Sequence, residues 1–250
     1  MHRFFLPPDQ CKGDALSLPD PEAHHALHVL RLRRSEQVTI LDGEGGELLC
    51  EVRECDRSQV HLTVLRRSSA PARSCQITLL QAVPKGKLIE AIIQKATELG
   101  AHRIIPILSQ RVASRLDDPG AAQKASKWQL TAVEAIKQCG SAWLPKVEPP
   151  VTPAEFLRRK ESFEIPLVAS LQPGSRHAHE CFQAFRSAHG RPPRSACVWV
   201  GPEGDFTPEE VAAIQSSGAL PISLGPLVLR CETAAVYCLS ILNHEIGISP

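Results

Sequence analysis

Aromatic residues are scarce, with one Tyr, three Trp and seven Phe in 250 residues. That argues against the stacking platforms on which sheet-type RNA modules hold unpaired bases. Also lacking is any C-x-x-C pair. The nine cysteines, at 11, 50, 55, 75, 139, 181, 197, 231 and 238, are scattered, odd in number and without His at zinc-ligand spacing, so they read as reduced, packed thiols and no metal is expected. No stretch approaches the roughly 18 to 20 apolar residues of a spanning helix. The opening Met-His-Arg-Phe-Phe-Leu-Pro-Pro has no basic region leading into an apolar signal core, so a soluble, cytoplasmic protein with no membrane partner is expected. Neither G-x-x-x-x-G-K-S/T nor G-x-G-x-x-G occurs, which disfavours nucleoside triphosphates and dinucleotides as ligands.

Net charge is only +1 and by itself gives no reason to suspect nucleic acid. The charge is unevenly spread, however: residues 73–146 carry eleven Lys and Arg against five Asp and Glu. Lys85, Lys87, Lys95, Arg103, Arg111, Arg115, Lys124 and Lys127 lie in that block, and such a local field can attract phosphates. A solvated helix face is the plainer reading of the same charges.

Up to about residue 72 the pattern is β-rich. Val38–Asp42, the turn signal Asp42-Gly43-Glu-Gly45-Gly46, Glu47–Val52 and the alternating Val60–Leu65 predict a small barrel or curled sheet. Ala23, Ala26, Leu27 and Leu30 fall at helical spacing and predict one short helix. The run Arg66–Ser74 reads as a linker. From Ile77 on, short apolar runs (76–83, 103–108, 165–170, 196–200, 221–224) alternate with helical segments, which predicts a mainly parallel sheet covered by helices, residues 73–250 forming the second domain. The helix after Lys87 carries Leu88, Ile89, Ile92, Ile93, Ala96 and Leu99 on one face and stops at Gly100.

Two strand-to-helix turns carry the chemistry. Ala196–Val200 runs into Gly201-Pro-Glu-Gly-Asp-Phe-Thr-Pro-Glu-Glu210, with Thr207 as N-cap, Pro208 as first helical residue and Glu210 as reciprocal capping partner. Ile222-Ser-Leu runs into Gly225-Pro-Leu-Val-Leu-Arg-Cys-Glu232 and a final helix over about 232–245. Glycine-bearing loops let main chain approach a ligand, and in open α/β sheets ligands lie beyond the carboxyl ends of the strands. Arg230 and Glu232 stand where a charge can serve a helix end. An arginine beside such a loop can also hold an oxygen that becomes anionic during a reaction.

These motifs, with Arg3-Phe-Phe, His24-His-Ala-Leu-His-Val-Leu-Arg-Leu-Arg33, Gln94–Gly100 and Glu134–Gly140, resemble the RsmE family of 16S rRNA uridine-N3 methyltransferases along nearly the whole chain. The resemblance implies a trefoil-knotted SPOUT-type α/β domain with a PUA-like N-terminal β domain, residues 1–72. It also implies a homodimer, S-adenosylmethionine as methyl donor, and 16S rRNA of the assembled small ribosomal subunit as partner. By motif match, Leu171, Val200, Gly201, Pro202, Gly204, Leu224, Gly225, Pro226 and Leu229 would line the donor pocket. The chain departs from the family pattern at Asp205 and Leu227, where glycine and arginine are usual, and at Ser141, where an arginine often follows Cys-Gly.

Uracil N3 is a poor nucleophile until its proton leaves, so Arg230 is expected to stabilise negative charge on a uracil oxygen, with Glu232 or Glu203 as proton acceptor. N3 lies on the Watson–Crick edge, so the target base must be unpaired or flipped. Candidate phosphate contacts are Arg3, Arg31, Arg33, Lys87, Arg111 and Arg115. A non-catalytic RNA-binding or ribosome-assembly factor, and a related enzyme acting on another RNA base, remain alternatives at this point.

Overall fold

The computed structural model describes residues 1–56, 58–111, 120–172 and 174–247. It divides into two compact units, Met1–Ala72 with Val133–Leu144, and Arg73–Ala132 with Pro145–Pro250. From sequence, 133–144 falls in the larger domain; in the structure it packs with the smaller unit.

The smaller unit holds β1 (His2–Phe5), β2 (Ala15–Leu18), β3 (Gln37–Leu41), β4 (Gly46–Cys55) and β5 (Val60–Ser69), in the order β1-β3-β4-β5-β2. Only the β1–β3 pair is parallel. Alternation places Val38, Ile40, Leu48, Cys50, Val52, Val60 and Leu62 on one face, where they form a core with Phe4, Leu6, Leu16 and Leu18. The expected short helix is α1 (Glu22–His24), continued by a π-helical turn, His25–Val29, whose Ala23 and Ala26 enter the same core. The linker expected over 66–74 is a correction: Arg66–Ser69 extend β5 and pair with Gly46–Leu49.

In the larger unit, β6 (Gln76–Ala82), β7 (Arg103–Ile107), β8 (Lys146–Val147), β9 (Ile165–Ala169), β10 (Ser195–Val200) and β11 (Leu220–Ile222) form a sheet in the order β11-β9-β10-β6-β7-β8. Every pair in it is parallel. Helices α2 (Leu88–Glu98), α3 (Ala121–Cys139, of which residues 133–139 belong to the smaller unit), α4 (Pro153–Arg158), α5 (Ala178–His189), α6 (Pro208–Ser216) and α7 (Cys231–Gly247) connect or follow the strands. Leu80, Ala82, Ile105, Ile107, Val168, Cys197 and Trp199 share one face, packed by Phe156 of α4 and Val211 and Ile214 of α6. The alternate residues Leu79, Ile104, Val198 and Val200 point the other way and are buried. On that side α7 lies against β6 and β10, with α2 and α5 packed on α7. Helices thus cover both faces, as the periodicity predicts. No described helix is long and apolar enough to cross a membrane.

The connection leaving β6 leads to β7 on one side, whereas the one leaving β10 leads past β9 to β11 on the other. The winding reverses between these neighbours, which is where open α/β sheets open a crevice at their carboxyl edge.

Candidate methyl-donor site

The loops leaving β9, β10 and β11 line a narrow cleft of about 60 Å³ that opens to solvent. Ala169, Ser170 and Leu171 come from the first loop, Gly201, Pro202 and Asp205 from the second, and Leu224, Leu227, Leu229, Cys231 and Ala234 from the third and the start of α7. Five residues expected from sequence therefore converge: Leu171, Gly201, Pro202, Leu224 and Leu229. Val200, the last residue of β10, and Gly204, Gly225 and Pro226 of the loops stand beside them in sequence without lining the cleft. Sequence reading missed Ala169, Ser170, Cys231 and Ala234; a strand-end Ala-Ser-Leu and one helix face announce themselves only once the chain has folded. Asp205 and Leu227, noted as departures, are both in the wall.

The second loop is held by its own chemistry. Thr207 Oγ1 accepts from Glu210 N at 3.3 Å while Glu210 Oε2 accepts from Thr207 N at 2.9 Å, the reciprocal capping box expected from the sequence. Asp205 sits at φ 61°, the left-handed region where glycine is cheapest and Asp or Asn is tolerated. Its carboxylate accepts from Phe206 N at 2.7 Å and its amide donates to Pro202 O at 2.9 Å. A Cβ on Gly201 would lie 2.8 Å from that carboxylate, so the departure at 205 and the glycine at 201 depend on each other.

Arg230, between the lining residues Leu229 and Cys231, is exposed, and Glu232 is half-buried one residue inside α7. Cys231 Sγ donates to Glu232 Oε2 at 3.5 Å. Burial, that hydrogen bond and the negative charges of Glu203 and Glu232 push the Cys231 thiol up to about 11, so it stays protonated at neutral pH. Glu203 is exposed, and its Oε1 accepts from Lys85 N at 3.1 Å.

The expected phosphate contacts are scattered. Arg3 Nη1 donates to Gln138 O at 3.1 Å and lies against Gly140, so it closes the carboxyl end of α3. Arg31, at φ 55°, and Arg33 are exposed in the smaller unit. Lys87 is exposed at the start of α2, and Arg111 reaches Gly204 O at 2.5 Å. Arg115 lies outside the described residues. Ser141 turns its hydroxyl to Trp143 O at 3.0 Å. Among the described residues, no cluster of three His, Cys, Asp or Glu could hold a metal ion.

The walls suit S-adenosylmethionine. Alanine and leucine side chains offer apolar surface for a purine ring, and Gly201 brings main-chain donors and acceptors to the wall without a side chain of its own.

Comparison with known proteins agrees with this geometry. Residues 71–243 match the family model of an RNA methyltransferase domain, and residues 18–65 match that of an RNA methyltransferase PUA domain. Ribosomal RNA small subunit methyltransferase E of Bacillus subtilis is 31% identical over 249 residues, 98% of this chain and 97% of its own. A methyltransferase from Legionella pneumophila, solved with the bound cofactor SAM, superposes with TM-score 0.85 at 30% identity, covering 97% of this chain and 96% of its own. The methyltransferase E of Neisseria gonorrhoeae, solved bound to S-adenosyl methionine, gives 0.83 at 27% identity, with 98% and 97% covered. A parallel α/β sheet with a loop-built cleft and a PUA domain defines an RNA methyltransferase. Within that class, the chain belongs to the ribosomal RNA small subunit methyltransferase E family.

Proposed function

We propose that the protein transfers a methyl group from S-adenosylmethionine to N3 of one uracil of 16S rRNA in the assembled small ribosomal subunit. The observation that carries this reading is the convergence of three strand-end loops on one apolar cleft, in a chain whose relatives of similar length and fold bind that donor. Leu171, Val200, Gly201, Pro202, Gly204, Leu224, Gly225, Pro226 and Leu229 shape the donor site, five of them in its wall.

When bound, S-adenosylmethionine supplies a methyl carbon made electrophilic by its sulfonium. The chain's own residues prepare the acceptor. Arg230, exposed between two residues of the cleft wall, sets its charge against a uracil oxygen and lowers the cost of removing the N3 proton. Glu232 or Glu203 takes that proton. The loops then hold the base in line, which is where most of the rate gain of a displacement arises. Arg31, Arg33 and Lys87 meet phosphates, Arg3 orders the smaller unit, and residues 1–72 act as the PUA-like RNA-docking domain. We also infer a trefoil knot in the larger domain, a homodimer, a cytoplasmic location and no metal requirement.

The test is methylation with labelled donor of small subunits lacking the modification, followed by mapping of the base. Label at uracil N3 of a single uridine supports the reading. Donor binding with label at another base identifies a related enzyme, and absence of donor binding identifies a non-catalytic RNA-binding factor.

A further inference from the structure

The charge block from which Arg111 comes suggests a phosphate contact; its geometry suggests another task. Arg111 Nη1 donates to the carbonyl of Gly204 at 2.5 Å. Its aliphatic stem lies along the same residue, since a Cβ on Gly204 would meet Arg111 Cδ at 3.6 Å and Cβ at 3.9 Å. The arginine is itself anchored: its backbone N–H donates to Ser109 Oγ at 3.3 Å. Ser109 Oγ in turn donates to Glu210 Oε2 at 2.9 Å, and Gln110 N donates to Glu210 Oε1 at 2.9 Å. Glu210 is the buried capping-box residue of α6.

The segment 204–210 is therefore fastened at both ends to one three-residue stretch behind β7. At one end Glu210 receives Ser109 and Gln110; at the other Gly204 receives Arg111. Between them lies Asp205, which lines the donor cleft. From this arrangement we infer that Arg111 is a positioning residue for the donor loop, holding Gly204 and Asp205 in place through the Gly204 carbonyl. A bond from a charged donor is stronger than one between neutral groups, and substituting the arginine leaves that carbonyl without its partner. The aliphatic stem adds a wall that a shorter side chain lacks. The inference rests on the proposed donor site but names a residue that site did not include.

The test uses the full-length protein. Donor affinity is measured by calorimetry with S-adenosylmethionine for the parent, Arg111→Ala, Arg111→Lys and Ser109→Ala, with the thermal midpoint of each. Amide exchange at Asp205 and Phe206 is followed without donor. Arg111→Ala is expected to weaken donor binding about 10-fold and to speed exchange at both amides, with the midpoint moved by no more than about 2 °C. Donor KM should rise while kcat changes little, and Arg111→Lys should recover part of the loss because an ammonium can donate to the same carbonyl. A folded Arg111→Ala protein with unchanged donor affinity and unchanged exchange would overturn the inference, as would a defect confined to RNA affinity that fades with added salt. Should Arg111→Ala not fold, Arg111→Lys and Ser109→Ala decide it, each expected to weaken the donor about 2- to 5-fold. A parent protein that binds no donor sinks the proposed function instead, and the exchange data still decide whether Arg111 fixes the loop.

Discussion

The backbone N–H of Lys85 donates to Oε1 of Glu203 at 3.1 Å, joining the loop that leaves β6 to the loop that leaves β10. This bond separates the two carboxylates considered as proton acceptors. Glu203 has an oxygen committed to main chain, whereas among the described residues Glu232 receives only the weak donor Cys231 Sγ, at 3.5 Å. Glu203→Gln keeps an acceptor for Lys85 and should retain turnover within about 3-fold, while Glu232→Gln should lower it about 100-fold, the lower end of general-base effects. Single-turnover methyl transfer with saturating donor measures both.

Asp205 gives an ordering that needs no substrate. Its positive φ favours glycine, and its carboxylate bond to Phe206 N offsets part of that cost. Asp205→Ala loses the bond and keeps the strain; Asp205→Gly loses the bond and relieves it. Thermal melts should therefore place the glycine variant above the alanine variant by about 1 kcal/mol.

Gly45 tests the smaller unit. At φ 98°, it lies under the Trp143 ring, and an added Cβ would come within 2.5 Å of Trp143 Cζ2. That ring is fixed by its indole N–H, which donates to Pro71 O at 3.1 Å. Gly45→Ala should cost about 1–3 kcal/mol in denaturant unfolding, from the crowded ring and the strained φ together. An unchanged midpoint would show that the ring yields freely.

Acid should weaken the larger unit through paired carboxylates. Glu164 is lowered from its ordinary 4.5 to about 2 by the Arg191 fork and by the Arg194 amide. Burial disfavours ionised Glu148, yet the Arg159 hydrogen bond and the charges of Arg103 and Arg159 outweigh it and hold that carboxyl low as well. A depressed folded-state pKa gives stability that is present above the unfolded value and is lost as pH falls toward the folded one. The contribution of these two carboxylates to the thermal midpoint should thus be complete above about pH 5 and fall away from about 4.5 downward. Glu164→Gln should flatten part of that fall; an identical acid profile in the variant would remove Glu164 from the explanation.

What the sequence makes legible here is local. The Thr207–Glu210 box and the glycines at 201 and 225 depend on neighbours within a few residues, so their roles are visible without a fold. Five of the six parallel strands of the larger unit are visible as buried apolar runs, and the two-residue β8, Lys146–Val147, is too short to make one. The short edge strands β1 and β2 carry too few residues for alternation to register. Arg66–Ser69 read as a linker because polar residues on an exposed strand resemble a loop, and only the pairing with Gly46–Leu49 reveals the strand. The arginines show the same limit: Arg3 and Arg111 find carbonyl partners more than 90 residues away, distances over which charge counts carry no information.

The most direct test of the account is a crystal structure of the protein soaked with S-adenosylmethionine. The account predicts density for the whole donor between Ala169–Leu171, Gly201–Asp205 and Leu224–Ala234, with its purine against the leucines. Density elsewhere, or a cleft left empty at saturating donor, would contradict it.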